Sequence, residues 1–499
     1  MTAASPKTQP PEGVDYSRKW FVLSAVAVAI FLGTIDGSIV NVALPTLADE
    51  FDTSFGIVQW VSLSYLLTQA TLTLGFGRFG DMVGKKPIFT WGFAIFTVFS
   101  VLAGIAPTVG FLILARVFQA VGAAMIFALG FAIVTEAFPP IERGKALGIN
   151  GTIVSLGIIL GPVLGGLIID ATSWRAIFLV NIPIGIIGTI TAIKFVPNTK
   201  PKESQRFDWI GAFLFLVAFL SLLGALTYGQ EAGFGDRLVI GGIVTAVVAF
   251  AAFIWTELHV AQPMLDLTLF KHRNFSVNLT TGFLQFVAIS GTMLLLPFYL
   301  TNVLGYEIRE VGLLLAAIPV TLGLVAPFSG SLSDRLGSRP VTITGLLITS
   351  LGFLASVLLL NIDTSAIQFM FAGGLIGLGV GIFQSPNNSA ILGSVPASRL
   401  GITSGMLTIT RISGSLVGIA VLGTVWATRT TGYAGGGTAE SAPAEAQASG
   451  LTDTLTVALA ITVIGLMIGV WAWSKDRRQG IDKDDVVEAA RTEKAGEAS

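Results

Sequence analysis

The sequence predicts an all-α integral membrane protein: two six-helix bundles with two extra helices between them, fourteen spans in all. Three observations carry that prediction. Hydrophobic residues make up 53% of the 499 and charged residues only 12%, with a mean hydropathy of +0.79, whereas a soluble domain carries about 25% charged residues. Apolar runs long enough to cross a bilayer recur along the chain, and the basic residues fall mostly between alternate runs. A charged turn motif occurs twice, 253 residues apart.

Composition also excludes functions. A net charge of −1 argues against nucleic-acid binding. With no cysteine there is no disulfide framework, thiol catalysis or thiolate metal site. The two histidines, His259 and His272, sit near the end of one polar segment and read as interfacial, so no metal cluster is expected.

A membrane helix needs about 20 mostly apolar residues. That window places spans near 20–45, 55–79, 87–105, 108–135, 143–169, 175–196, 207–228, 237–257, 274–302, 310–333, 340–360, 366–392, 400–428 and 451–474. The first follows Arg18 and Lys19. Its apolar core of about 25 residues exceeds the ~7–15 of a secretory signal, so it reads as a retained span. With both termini in the cytoplasm, 23 of the 29 Lys and Arg residues fall on the cytoplasmic side. Arg175, Arg237, Arg309 and Arg429 fall outside, and Arg116 and Arg411 lie within spans. This is the asymmetry the positive-inside rule demands.

The repeat pairs GRFGDMVGKKP (77–87), after the second span, with GSLSDRLGSRP (330–340), after the tenth. Both read G-x-x-x-D-x-x-G-x-(K/R)-P. Glycines permit a tight reversal, and the carboxylate can bond helix-end amides or basic residues across the turn. The conformational candidates here are Gly77, Asp81, Gly84 and Lys85, and Gly330, Asp334, Arg335 and Gly337. The expected organisation is a cytoplasmic tail (1–19), a first bundle (20–196), a linker with two extra helices (197–273), a second bundle (274–474) and a cytoplasmic tail (475–499). Within the second bundle, the Gly/Ala-rich segment 429–450 is expected to be a flexible outer loop. At the repeat offset Asp36 maps onto Ile289, so the halves share a fold but not the carboxylate.

Asp36, in IDGSIVNVALP (35–45), is the acidic residue placed deep within a span. A buried carboxylate is expensive in hydrocarbon and by default faces a protein interior or watery cavity. It lies about 24 Å along its helix from Trp20. It either carries protons and senses cations, or ties helices together; glue is usually built from Ser, Thr or Asn. Arg116 lies about 9–13 Å below the outer end of its own helix, a similar depth. It either sets the protonation of Asp36 or forms a fixed ion pair. Gln119 is one turn further in, on the same face. Arg411, nearer mid-membrane or the inner side, has Thr408, Thr410 and Ser413 as apparent partners.

GIILGPVLGG (157–166) sets Gly157, Gly161 and Gly165 four apart, which lets helices approach closely, while Pro162 interrupts the backbone ladder and favours a bend. GLIGLGVGI (374–382) is a looser glycine face, read as packing. Weaker lining candidates are Tyr65, Gln69, Asn150, Phe283, Gln285, Phe298, Tyr299, Gln384 and Asn387. Aromatic faces suit flat lipophilic cations, although most in-span aromatics face lipid or neighbouring helices.

These motifs resemble those of the 14-helix drug:proton antiporters of the major facilitator superfamily, over about residues 18–475. IDGSIVNVALP is similar to the first-helix signature at Asp36, Asn41 and Pro45. GRFGDMVGKK resembles the superfamily loop motif at Gly77, Asp81, Gly84, Lys85 and Lys86, with Met82 where a basic residue is usual. ARVFQAVGAA resembles the fourth-helix motif at Arg116, Gln119 and Gly122, with Ala120 replacing a glycine. GIILGPVLGG resembles the antiporter motif. SWRAIFLVNIPIG (173–185) and the region Arg399 to Gly418, with Gly405, Arg411 and Gly414, are similar to stretches of the 14-helix branch.

The resemblance implies a major facilitator fold whose two bundles rock about a central cavity. It implies multidrug efflux driven by protons, with Asp36 as protonation site and Arg116 supporting coupling. The loop motif would latch the outward-facing state, and Gly161 and Pro162 would shape the interface. The expected substrate is amphipathic and cationic, touching Asp36, Tyr65, Gln69, Gln119, Phe283, Gln285, Gln384 and Arg411. No cofactor is expected, the proton gradient being the drive. The expected setting is a monomer in the cell membrane, without nucleic-acid partners. The rival is the same fold exporting an endogenous solute such as a lipid, siderophore or organic acid. A membrane-embedded enzyme is disfavoured, because no Ser-His-Asp set, metal constellation or phosphate loop is visible.

Overall fold

A computed structural model describes residues 16–139, 142–198, 208–260, 263, 265, 267–395 and 400–478. Among them every regular element is helical. The chain runs through α1 (Lys19–Glu50), α2 (Trp60–Val83), α3 (Lys85–Gly104), α4 (Val109–Ala137), α5 (Arg143–Ala171) and α6 (Asn181–Phe195). Then come α7 (Trp209–Ala232), α8 (Arg237–His259), α9 (Arg273–Phe298) and α10 (Ala317–Leu336), the last preceded by a short helix Ile308–Leu315. The final four are α11 (Ser338–Leu359), α12 (Ala366–Gly393), α13 (Leu400–Ala434) and α14 (Ala444–Arg478).

Polar side chains end these helices where backbone amides need partners. Thr108 Oγ1 accepts from Phe111 N at the start of α4, Asp208 from Gly211 N at α7, and Asp236 from Leu238 N at α8. Ser365 and Gln368 form a reciprocal capping box on α12. The two copies of the repeated motif fall on equivalent turns, α2 to α3 and α10 to α11. Each is closed by a glycine with positive φ, Gly84 at 109° and Gly337 at 87°, a conformation other residues resist.

Among the described residues twelve helices are long and apolar enough to cross a membrane, against the fourteen expected. The other two expected spans, 55–79 and 143–169, correspond to α2 and α5, which are helical but not among the twelve. α2 is studded with Ser62, Ser64, Thr68, Gln69, Thr71 and Thr73, and α5 contributes a shorter apolar stretch, Leu156–Ala171.

Packing divides the helices into neighbourhoods. α1 packs on α4, α5 and α6, α3 on α4 and α6, and α2 on α4. α9 packs on α13 and α14, α11 on α12 and α14, and α10 on α12. These groups meet where α5 lies against the 308–315 helix and α10, where α2 lies against α13, and where α1 lies against α9. α7 and α8 pair with each other, and α7 also lies against both α2 and α13. At the end where α1 finishes, Gln230 of α7 accepts from Gln59 Nε2 at 3.4 Å and donates to Thr424 of α13 at 3.0 Å.

The segment expected as an outer loop, 429–450, is partly helical: α13 continues to Ala434 and α14 begins at Ala444. Residues 435–443 separate them, opening with Gly435, Gly436 and Gly437 at positive φ. Gln447 donates to the Glu440 and Ala442 carbonyls at 2.9 Å, and the Glu440 carboxylate accepts from Phe55 N at the start of the short helix Phe55–Val58. Alanine favours helix once the backbone ladder can continue, and these contacts outweigh the glycine content.

Candidate functional site

Asp36 is wholly enclosed, with no solvent exposure. Its Oδ2 accepts from Arg116 Nη1 at 2.6 Å; its Oδ1 accepts from Gln119 Nε2 at 2.9 Å and Asn181 Nδ2 at 2.8 Å. The carboxylate thus joins α1 to α4 and α6. Arg116 also donates to the Gln119 Oε1 at 2.7 Å and through Nε to the Val61 carbonyl at 3.2 Å. Its guanidinium lies over the Tyr65 ring, 4.1 Å from the centroid. Ser100 Oγ accepts from Gln119 at 2.6 Å and Asn181 at 3.3 Å. A buried ion pair survives where its remaining donors and acceptors are met, and this cage meets nearly all of them. Among the described residues, the side-chain Oδ1 of Asn181 and the Tyr65 hydroxyl are left without a hydrogen-bond partner.

The glycine string of α5 is a rail against α1, on the same turns that carry Asp36. A Cβ at Gly157 would fall on Thr34 Oγ1, one at Gly161 on Ser38 Oγ, and one at Gly165 within 2.9 Å of Ile39 Cγ1. Ser38 in turn donates to the Gly157 carbonyl at 3.1 Å. One residue on, Gly166 meets Gly312 of the facing 308–315 helix: a Cβ there would sit 2.6 Å from the Ile308 carbonyl and 3.1 Å from Gly312 Cα. The Pro162 carbonyl packs on Gly312 at the same crossing. The motif therefore serves both an intrabundle and an interbundle contact.

The sequence candidates separate into groups. Asp36, Tyr65, Arg116 and Gln119 come together. Gln69 is buried on α2 and takes no part in the Asp36 cage; its carbonyl accepts from Thr73. Gln285, Gln384 and Arg411 line a cleft between α9, α12 and α13, whereas Phe283 sits beside it with its carbonyl against Gly414. At the turns, Lys85 is buried and pairs with Glu136 of α4 at 2.7 Å. The side chains of Asp81 and Asp334, and all of Arg399, lie outside the described residues. Gly77 and Gly330 lie on α2 and α10 ahead of their turns, and Arg335 is exposed on α10.

Residue-level reading missed Asn181 and Ser100. Asn181 lies within SWRAIFLVNIPIG, so the signal was present as a motif without a role. Ser100 carries no signal beyond being a small polar residue in an apolar span.

The helical architecture and the charged cage in one bundle define a polytopic membrane transport protein. Residues 26–419 and 279–480 match the Major Facilitator Superfamily, and the chain belongs to that family. It is similar to the riboflavin transporter RibZ of Clostridioides difficile, at 36% identity over 82% of this chain and 89% of that one. It is similar also to the multidrug resistance protein Stp of Mycobacterium tuberculosis, at 34% identity over 81% of this chain and 75% of the relative. The lincomycin resistance protein LmrB of Listeria monocytogenes matches at 29% identity over 90% and 95%. The fold matches a bacterial homologue of the human lysosomal transporter Spinster, crystallised in an inward-facing, unoccupied conformation. That match has a TM-score of 0.64 at 18% identity and covers 91% and 97% of the two chains.

Proposed function

We propose that this transporter is a proton-coupled antiporter that exports amphipathic compounds by alternating access, with Asp36 as the group that takes and releases the proton. The observation that supports it is the enclosed pair Asp36–Arg116 at 2.6 Å. Protonating Asp36 removes the charge that Arg116 neutralises and strands a guanidinium in a low-dielectric interior, which is costly. The helices that carry the pair, α1 and α4, with α6 bound to them through Asn181, then favour a packing that rehydrates Arg116. The glycine rail of α5 provides the sliding surface, and its Gly166–Gly312 crossing ties that motion to the second half.

On this reading the working unit is a monomer in the cell membrane with both termini in the cytoplasm. It belongs to the 14-helix branch, with bundles 20–196 and 274–474 and the pair within 197–273 between them. Each charge moved is worth about 2.3 kcal/mol per 100 mV, so one proton per cycle sustains a useful gradient without a cofactor. Proteoliposomes test it: a pH gradient should drive uptake of an amphipathic dye by the wild type and not by Asp36→Asn. Gradient-driven uptake by Asp36→Asn refutes the assignment.

The second reading is export of an endogenous solute, favoured by the similarity to a protein named as a riboflavin transporter. The expected cationic preference came from the family resemblance and from reading Asp36 as a cation-sensing carboxylate. With Arg116 on that carboxylate, the site offers no net negative charge in this conformation.

A further inference from the structure

The second half reverses the chemistry of the first. Ile289, the residue at the repeat offset from Asp36, lines the cleft between α9, α12 and α13. Facing the same cleft is Arg411, and none of the lining residues is Asp or Glu. Among the described residues the Arg411 guanidinium has no ion pair; what it touches is the face of Phe286, 5.7 Å from the ring centroid. A guanidinium held within a membrane span calls for an anion, strong acceptors or water. Two further polar atoms wait unmet. Gln285 Nε2 is committed to Thr349 Oγ1 at 3.0 Å, yet its Oε1 has no hydrogen-bond partner among the described residues. The buried Asn387 Oδ1 is in the same position. The rest of the lining is largely apolar and includes the aromatic side chains of Phe286 and Phe383.

We propose that this cleft binds the polar edge of an aromatic ligand that is neutral or anionic, not cationic. Resting on the exporter reading above, this names the substrate class. A carboxylate or ring carbonyl meets the fork of Arg411, which suits planar acceptors. Ring N–H or hydroxyl donors meet Gln285 and Asn387, and the ring packs against the aromatic and aliphatic lining. A cation placed here would meet the like charge of Arg411 with no carboxylate to offset it.

The test is equilibrium binding to the purified full chain in detergent, without a pH gradient. The probes are fluorescein (anionic), riboflavin (neutral, with ring carbonyls) and ethidium (cationic). Arg411→Gln should weaken fluorescein binding at least tenfold, Arg411→Lys should weaken it less, and Asn387→Ala should weaken riboflavin several-fold. Ethidium should bind no more weakly to Arg411→Gln than to the wild type. If Arg411→Gln elutes as aggregate, Arg411→Lys and Asn387→Ala decide. Failure of both fluorescein and riboflavin to bind the wild type, or binding indifferent to these substitutions, overturns the proposal. Binding through Arg411 without gradient-driven transport overturns the antiporter reading instead and leaves the site assignment standing.

Discussion

Arg116 Nη1 and Asp36 Oδ2 stand 2.6 Å apart, with side-chain exposures of 1% and 0%. They belong to helices 80 residues apart in sequence. Removing one partner of such a pair leaves an unpaired buried charge. Arg116→Met is therefore expected to lose about 3–5 kcal/mol of stability, read as a lowered thermal transition in detergent. The double variant Asp36→Asn/Arg116→Met should recover most of it. A double variant no more stable than Arg116→Met would show that the two charges do not compensate each other.

Asn181 donates to the same carboxylate from α6 at 2.8 Å. A hydrogen bond to a charged group is worth about 1.5–3 kcal/mol, so Asn181→Leu should lower stability by that amount. Asn181→Asp should be worse, because it sets a second carboxylate against Asp36 Oδ1. Comparing the melting of the two variants checks this; an Asn181→Asp protein as stable as the wild type would contradict the geometry.

Gly166 and Gly312 allow backbones to touch where the two halves meet. Gly166→Ala puts a methyl group 2.6 Å from the Ile308 carbonyl, a backbone atom that cannot rotate away. The halves should separate at the end where α1 finishes. Since the chain has no cysteine, a single cysteine placed at Phe298 reports this cleanly. Its maleimide labelling from that side should rise several-fold in the Gly166→Ala background, and unchanged labelling would count against the crossing as a gate.

Phe55 and Trp426 meet edge to face across the same seam, with centroids 4.9 Å apart, and Phe298 completes the cluster. Cysteines at positions 55 and 426, bridged by a short cleavable dithiol reagent, should stop transport, and cleaving the bridge should restore it. Transport that continues while bridged would mean this end never needs to open.

Much of this protein is legible in the chain, because membrane burial acts locally. Twenty apolar residues make a span whatever surrounds them, and a glycine with positive φ closes the same turn at Gly84 and Gly337. A carboxylate and a guanidinium at matched depth can be inferred from counting residues. The reading failed where the outcome depended on a distant partner. Segment 429–450 is rich in glycine and alanine, and its composition is that of a linker. It is ordered as helix ends and a turn because Glu440 reaches Phe55, nearly four hundred residues away.

By itself, then, the sequence determined that this is a helical membrane protein with two related halves and a charged centre in the first. Only the tertiary structure decided what that centre touches. Asn181 and Ser100 join it, while Gln69, on α2 like Tyr65, does not. It also decided that Arg411 faces a cleft without an acid. Hydropathy and glycine placement act over a few residues. Pairing a buried charge depends on which helices come together, and in a bilayer that is set by close packing between helix faces rather than by any one segment.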